Sequence, residues 1–285
     1  MIIALFQDQE ISPTFRILGL AVFFAGMAGV VFSRFYMFFE QQYAIKYKRP
    51  FFVHLYMFKR QLKAKERYIL QRKFSFYNRL NRKQKIQFEH RLATFLKDKQ
   101  FLGRENLQVT TEMEVLISAT AIMLTFGFRN YKIELIDKII IYPGKYYSTS
   151  NETHHKGELN PKLKALVLSW EDFLEGYDIE DDNINLGIHE FTHAIHINSL
   201  KNNDVSSLIF KRAFSELTDL LSAEALLRQK LIASKYFRPY AFTNHFEFIA
   251  VIIETFIESP DDFKQQFPRI YNKTREMLNF NYAQY

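Results

Sequence analysis

Asn185-Leu186-Gly187-Ile188-His189-Glu190-Phe191-Thr192-His193-Ala194-Ile195-His196 is the stretch that decides how this chain is read. It contains His-Glu-x-x-His. On an α-helix, residues four apart project within about 40° of each other, so His189 and His193 face the same way one turn apart. Two imidazoles in that arrangement grip one Zn²⁺, and Glu190, beside the first, reaches a water on the metal. Zinc brings such a water's pKa to about 7, and a nearby carboxylate takes its proton, which is the chemistry of peptide-bond hydrolysis. The bland alternative is an amphipathic helix with half-buried histidines. Ile188, Phe191 and Ile195 supply an apolar face, but two histidines and a glutamate are an odd choice for an inert core.

A zinc hydrolase needs a third protein ligand and an open fourth position. The metzincin pattern demands Gly and a third His at fixed offsets, where this chain has His196 and Ser199, so it is excluded. A thermolysin-like scheme takes a Glu from a later helix, for which Glu216 is the candidate. Farther on, Tyr240 to Glu254 reads as a buried helix carrying Glu247 and Glu254, seven residues and two turns apart on one face. One of the pair can ligate zinc while the other holds a ligand histidine. Periodicity leaves open which does which.

Taken together these residues resemble the Mlc titration factor A (MtfA)-like family of zinc peptidases. That family shows Asn-x-x-x-His-Glu-Phe-Ala-His, then Tyr-Ala, then Glu-x-Phe-Ala-Val-x-x-Glu. This chain has Asn185 four before His189, Tyr240-Ala241, and Glu247-Phe248-Ile249-Ala250-Val251-Ile252-Ile253-Glu254. Ile141-Tyr142-Pro143, Val167-Leu168-Ser169-Trp170, Phe256-Ile257-Glu258-Ser259-Pro260 and Phe267-Pro268-Arg269-Ile270-Tyr271 extend the likeness over roughly residues 88–280. The resemblance implies that His189, His193 and Glu247 bind one Zn²⁺, with Glu190 and Tyr240 catalytic. It also implies a peptide or protein substrate, an aminopeptidase tendency, and a transcriptional regulator as possible partner. Two departures stand out: Ile195-His196 replaces the family's usual Leu-Asp, and the segment from His193 to Glu247 is about five residues shorter.

Ile17 to Ser33 is a 17-residue uncharged run between Arg16 and Arg34, continued by Phe35-Tyr36-Met37-Phe38-Phe39. It is at the short end for a bilayer span, but Gly19, Gly26, Gly29 and the terminal aromatics suit a membrane helix. Asp8 and Glu10 argue against a cleavable signal peptide. From Arg34 to Arg104 the chain carries 19 Lys/Arg against 4 Asp/Glu, a net of +15. Positive charge directly after a single span places that side in the cytoplasm. The expectation is a single-pass protein of the cytoplasmic membrane, catalytic domain inside, with Lys59 to Arg67 against anionic headgroups. Lys/Arg with interleaved aromatics also suits nucleic acid, but no nucleic-acid module is recognisable there.

The absence of cysteine excludes disulfides and thiolate metal sites. Phe88, Leu92, Phe95 and Leu96 form the stripe of a helix, and Val115 to Leu124 reads as a buried core helix. Lys132 to Tyr142 and Leu163 to Trp170 read as strands of a small sheet, whose edge accepts a substrate backbone. Asn151, His154 and His155 lie in a polar loop, and Glu171 to Asp182 in an acidic one. Phe214 to Leu231 reads as one amphipathic helix, and Asn279 to Tyr285 as a frayed tail. The expected fold is a helix-rich α+β, zincin-like domain with a small β-sheet, preceded by one transmembrane helix. Its divisions are 1–14 (N-terminal segment), 15–39 (anchor), 40–87 (basic juxtamembrane region) and 88–285 (zinc metallopeptidase domain). A zinc-stabilised module that sequesters a regulator at the membrane is the alternative to a peptidase.

Overall fold

The computed structural model describes residues 12–148, 153–178, 183–283 and 285. The N-terminal segment up to residue 11, Asn151 and residues 179–182 of the acidic run lie outside the described residues. In chain order the helices are α1 (Pro13–Tyr47), α2 (Ala64–Lys73), α3 (Ser75–Arg79), α4 (Arg82–Asp98), α5 (Thr111–Leu124), α6 (Trp170–Asp178), α7 (Leu186–Lys201), α8 (Val205–Ala223), α9 (Ala225–Ala233), α10 (His245–Glu258), α11 (Pro260–Gln266) and α12 (Pro268–Met277). The strands are β1 (Gln100–Gly103), β2 (Lys138–Tyr142), β3 (Tyr146–Ser148), β4 (Thr153–His155), β5 (Gly157–Asn160) and β6 (Ala165–Ser169). The fold is α+β and helix-rich with a small mixed sheet.

That sheet has the order β1-β2-β6-β5. β1, β2 and β6 run parallel, while β5 turns back antiparallel to β6 and leaves its outer edge beside α7. α5 is the central helix: Met113 and every residue from Val115 to Leu124 are buried, and at its start Thr110 Oγ1 accepts from Met113 N at 3.3 Å. A helix apolar all round must be enclosed, and α2, α4 and α7 enclose it. Phe88, Leu92 and Phe95 of α4 reach the same core, as do Leu70, Phe74 and Phe76 from the basic region. The buried guanidinium of Arg91 ties the loop after α5 through Thr125 O, Phe126 O and Phe128 O.

α1 is long and apolar enough to cross a membrane, and its apolar residues up to Phe39 are exposed. Its last turns belong to the domain. Ala44 packs on Val205 and Ile209 of α8. Glu40, buried, pairs with Arg129, and Lys48 Nζ reaches Glu216 at 3.0 Å and Glu276 at 2.9 Å. The chain then doubles back, setting the Phe51 ring 4.2 Å from Tyr43 and 6.4 Å from Tyr36.

Six expectations need correction. The helix read from Tyr240 to Glu254 begins only at His245, after the 3-10 turn Pro239–Phe242, and His154 and His155 lie in strand β4, not in a loop. Residues 132–137 are not strand: Ile133 adopts φ 51°, and pairing begins at Lys138 opposite Ala165. The acidic stretch from Glu171 to Asp178 is helix α6, because Phe173 and Gly176 seat it against the core. Phe214 to Leu231 breaks at Glu224, which ends α8 and opens α9. The C-terminal tail is docked: Phe280 is buried, and Tyr285 Oη donates to Ile257 O at 2.7 Å.

Candidate metal centre

Two helices with asparagine caps bring the site together. Asn185 opens α7, its Oδ1 accepting from Ile188 N at 3.0 Å and its Nδ2 donating to Gly176 O at 2.6 Å. Gly187 allows the close approach of α6, since a Cβ there would stand 2.5 Å from Phe173 Cε2. Asn244 opens α10, accepting from Phe246 N at 2.8 Å and Glu247 N at 3.0 Å. Such caps satisfy first-turn N–H groups and fix where each helix starts. They thereby fix His189 and His193 on α7 against Glu247 on α10.

The three side chains converge, one ligand atom of each lying within 4.8 Å of the others. His189 Nε2 and His193 Nε2 are 3.0 Å apart, and Glu247 Oε2 is 3.0 Å from the first and 3.6 Å from the second. Zinc–nitrogen bonds of about 2.05 Å at tetrahedral angles separate ligand atoms by about 3.3 Å. The observed separations bracket that value, and two imidazoles with a carboxylate are a donor set that zinc accepts. The residues therefore fit the metal.

The surroundings complete the arrangement. Glu254, fully buried, accepts from His189 Nδ1 at 2.6 Å, Asn185 N at 3.0 Å, and Arg238 through both of its terminal nitrogens. An Nδ1–H directed at Glu254 leaves Nε2 of the same ring as the lone-pair donor. Burial pulls His189 down, but Glu247 and Glu254 outweigh it and raise its pKa to about 9. Burial and the neighbouring His189 lower His193 to about 4. Burial drives Glu190 up to about 7, against the pull of His189 and with Glu247 and Glu254 adding to the rise. Gly157 of β5 lies on this carboxylate: a Cβ there would meet Glu190 Cγ at 2.7 Å. Tyr240, in the 3-10 turn Pro239–Phe242, stands beside the Glu247 carboxylate. Burial and that carboxylate raise its pKa to about 12.

Comparison with known proteins agrees with this chemistry. The model of the glucose-regulated metallo-peptidase M90 family matches residues 53–278. The chain belongs to that family. Among similar proteins of the M90 chain, an uncharacterized protein of Synechocystis sp. (slr2042) is 25% identical over 237 residues, 77% of this chain and 85% of its own length. Mlc titration factor A of Pectobacterium atrosepticum is 24% identical over 200 residues, 62% of this chain and 72% of its own. The MtfA resemblance read from the motifs therefore holds.

In this M90 chain a cleft of about 390 Å³ reaches one side of the centre, bordered by His189, Glu190, Tyr240, Gly157, Arg238 and Glu254, while His193 and Glu247 lie outside its lining. His154 and His155 stand on its rim in β4, and His154 lies edge-on to Tyr147. Glu216 is elsewhere, paired with Lys48 and Lys273. His196, at the family's usual Asp, is buried against Phe210, Phe214 and Phe246. Sequence reasoning missed Arg238, whose partners Asn183 and Glu254 are 55 and 16 residues away, beyond any local pattern.

Proposed function

We propose that the protein is a membrane-anchored, zinc-dependent peptidase. The observation that carries this is the convergence of His189, His193 and Glu247 beside the buried carboxylate of Glu190. Zinc, when bound, supplies a Lewis acid and acidifies a water. His189 and His193 present Nε2, and Glu247 presents Oε2, as its ligands. Glu190, buried beside the ligands, accepts a proton from the attacking water and returns it to the leaving amine. Tyr240, 49% exposed at the cleft wall, donates its hydroxyl to the oxygen on which charge develops. The outer edge of β5, beside Glu190, pairs with an extended substrate through main-chain hydrogen bonds, a mode that imposes little sequence preference.

The membrane reading rests on α1 and its surroundings. Tyr36, Tyr43 and Phe51 gather where the apolar run meets the domain, as interfacial aromatics do, and the basic region follows. The orientation places the domain in the cytoplasm.

A second reading draws on the relative named Mlc titration factor A. Here the same zinc-stabilised domain binds a transcriptional regulator at the membrane and cleavage is secondary. Metal analysis of the purified protein, with a peptide-library digest, tests the first reading. One zinc per chain and chelator-sensitive cleavage are expected. A protein that binds zinc without cleaving any library member supports the second.

A further inference from the structure

Arg238 connects three segments that the catalytic reading needs in register. Its Nη2 donates to Glu254 Oε1 at 2.8 Å, and its Nη1 to Glu254 Oε2 at 3.0 Å and to Asn183 O at 2.5 Å. Nη2 also stands 3.4 Å from His189 Nδ1. Asn183 lies just before α7, Glu254 lies on α10, and Arg238 itself is the residue before the turn that carries Tyr240. The guanidinium carbon is 5.9 Å from the centre of the Tyr240 ring.

A two-point guanidinium–carboxylate contact fixes the plane of the carboxylate as well as its position. The Glu254 plane in turn decides the direction from which Oε1 meets His189 Nδ1, and so where the opposite nitrogen of that rigid ring points. An ammonium group in place of the fork supplies charge without setting a plane. The Asn183 contact adds a second constraint, because it holds the chain leading into α7 at the same guanidinium.

We propose that Arg238 is a positioning residue of the metal centre. It orients Glu254, aims His189 Nε2 at the ligand site, and holds the Tyr240 turn against the start of α7. This rests on the zinc-peptidase reading, so zinc binding by the wild-type chain is measured first. A wild type without zinc sinks that reading and this one with it.

The test uses the full chain in detergent, with zinc affinity measured by competition against a chelator. Arg238→Ala is expected to weaken zinc binding by about 10–100-fold, the cost of removing an outer-shell partner. Arg238→Lys should stay weakened, because it keeps the charge and loses the fork. Arg238 borders the cleft, so added guanidinium can reach the space that Arg238→Ala leaves. Low millimolar guanidinium should restore zinc affinity in that variant but not in Glu254→Ala, where the acceptor is missing. In hydrolysis, kcat should fall with KM unchanged. Arg238→Ala with wild-type zinc affinity overturns the proposal. If Arg238→Ala fails to fold, Arg238→Lys decides, and wild-type affinity there overturns it equally.

Discussion

His189 Nδ1 and Glu254 Oε1 lie 2.6 Å apart, joining a ring on α7 to a fully buried carboxylate on α10. The contact separates the roles of two acids that share one helix face. Glu247 stands at the ligand side of the imidazole and Glu254 at its back.

That separation predicts graded losses of metal. His189→Ala or His193→Ala should abolish stoichiometric zinc after dialysis, while Glu254→Ala should weaken affinity by about 10–100-fold. Elemental analysis and chelator competition measure both. Full zinc occupancy in the double histidine variant would end the metal-centre reading.

Glu216 offers the control for the third ligand. Glu247→Ala should lose zinc and hydrolysis together. Glu216→Ala should leave zinc in place, since its carboxylate serves Lys48 and Lys273. A chain that loses its metal with Glu216→Ala yet tolerates Glu247→Ala would refute the ligand assignment.

Glu190→Gln should retain zinc and lose hydrolysis, because an amide cannot take the proton. Tyr240→Phe should also retain zinc, with kcat lower by about 10²–10³-fold, the usual effect of one lost oxyanion donor. A regulator-binding phenotype that survives Glu190→Gln would belong to sequestration. Near-wild-type turnover in Glu190→Gln would remove that residue from the mechanism.

A reporter fused after Tyr285 should report the cytoplasm, and alkaline carbonate should leave the full chain in the membrane fraction. Release by carbonate would argue against a spanning α1. Reporter activity on the outer side would reverse the orientation.

Stability should fall in mild acid through His54. Its ring sits near Phe126, Tyr56 and Tyr282 with neither nitrogen hydrogen-bonded. Burial, and then the Arg91 charge, lower its pKa from 6.5 to about 3. Between those values the unfolded chain binds a proton that the folded chain refuses. This contribution is therefore complete above pH 6.5 and shrinks as pH falls toward 3. His54→Phe should narrow the difference in urea midpoint between roughly pH 7 and pH 5. An unchanged difference would assign the acid sensitivity to other groups.

The features legible in the sequence are those with a local period. His189 and His193 announce themselves by their spacing, and α5 by its unbroken apolar run. Glu247 and Glu254 are indistinguishable by period, because seven residues return to the same face. What separates them is depth along α10, the first near the Asn244 cap and the second beneath the Asn183–Asn185 approach to α7. The acidic surroundings of Phe173 and Tyr177 hid the apolar face of α6. A continuous pattern from Phe214 to Leu231 gave no sign of the backbone turn at Glu224. Arg238 carries no local signature at all, since its role arises only when α7, α10 and the Tyr240 turn assemble.

α1 passes from its exposed apolar run to the Glu40–Arg129 pair and the Lys48 contacts without a break in helix. No loop therefore separates the apolar shaft from the head. On the membrane reading, bilayer thickness becomes a mechanical input, because a mismatched helix adjusts its tilt. Leaning by about 20°, a typical tilt, carries a point about 30 Å from the pivot sideways by about 10 Å. Lipid composition would thus steer where over the membrane plane the cleft can reach, with no change in the catalytic residues themselves.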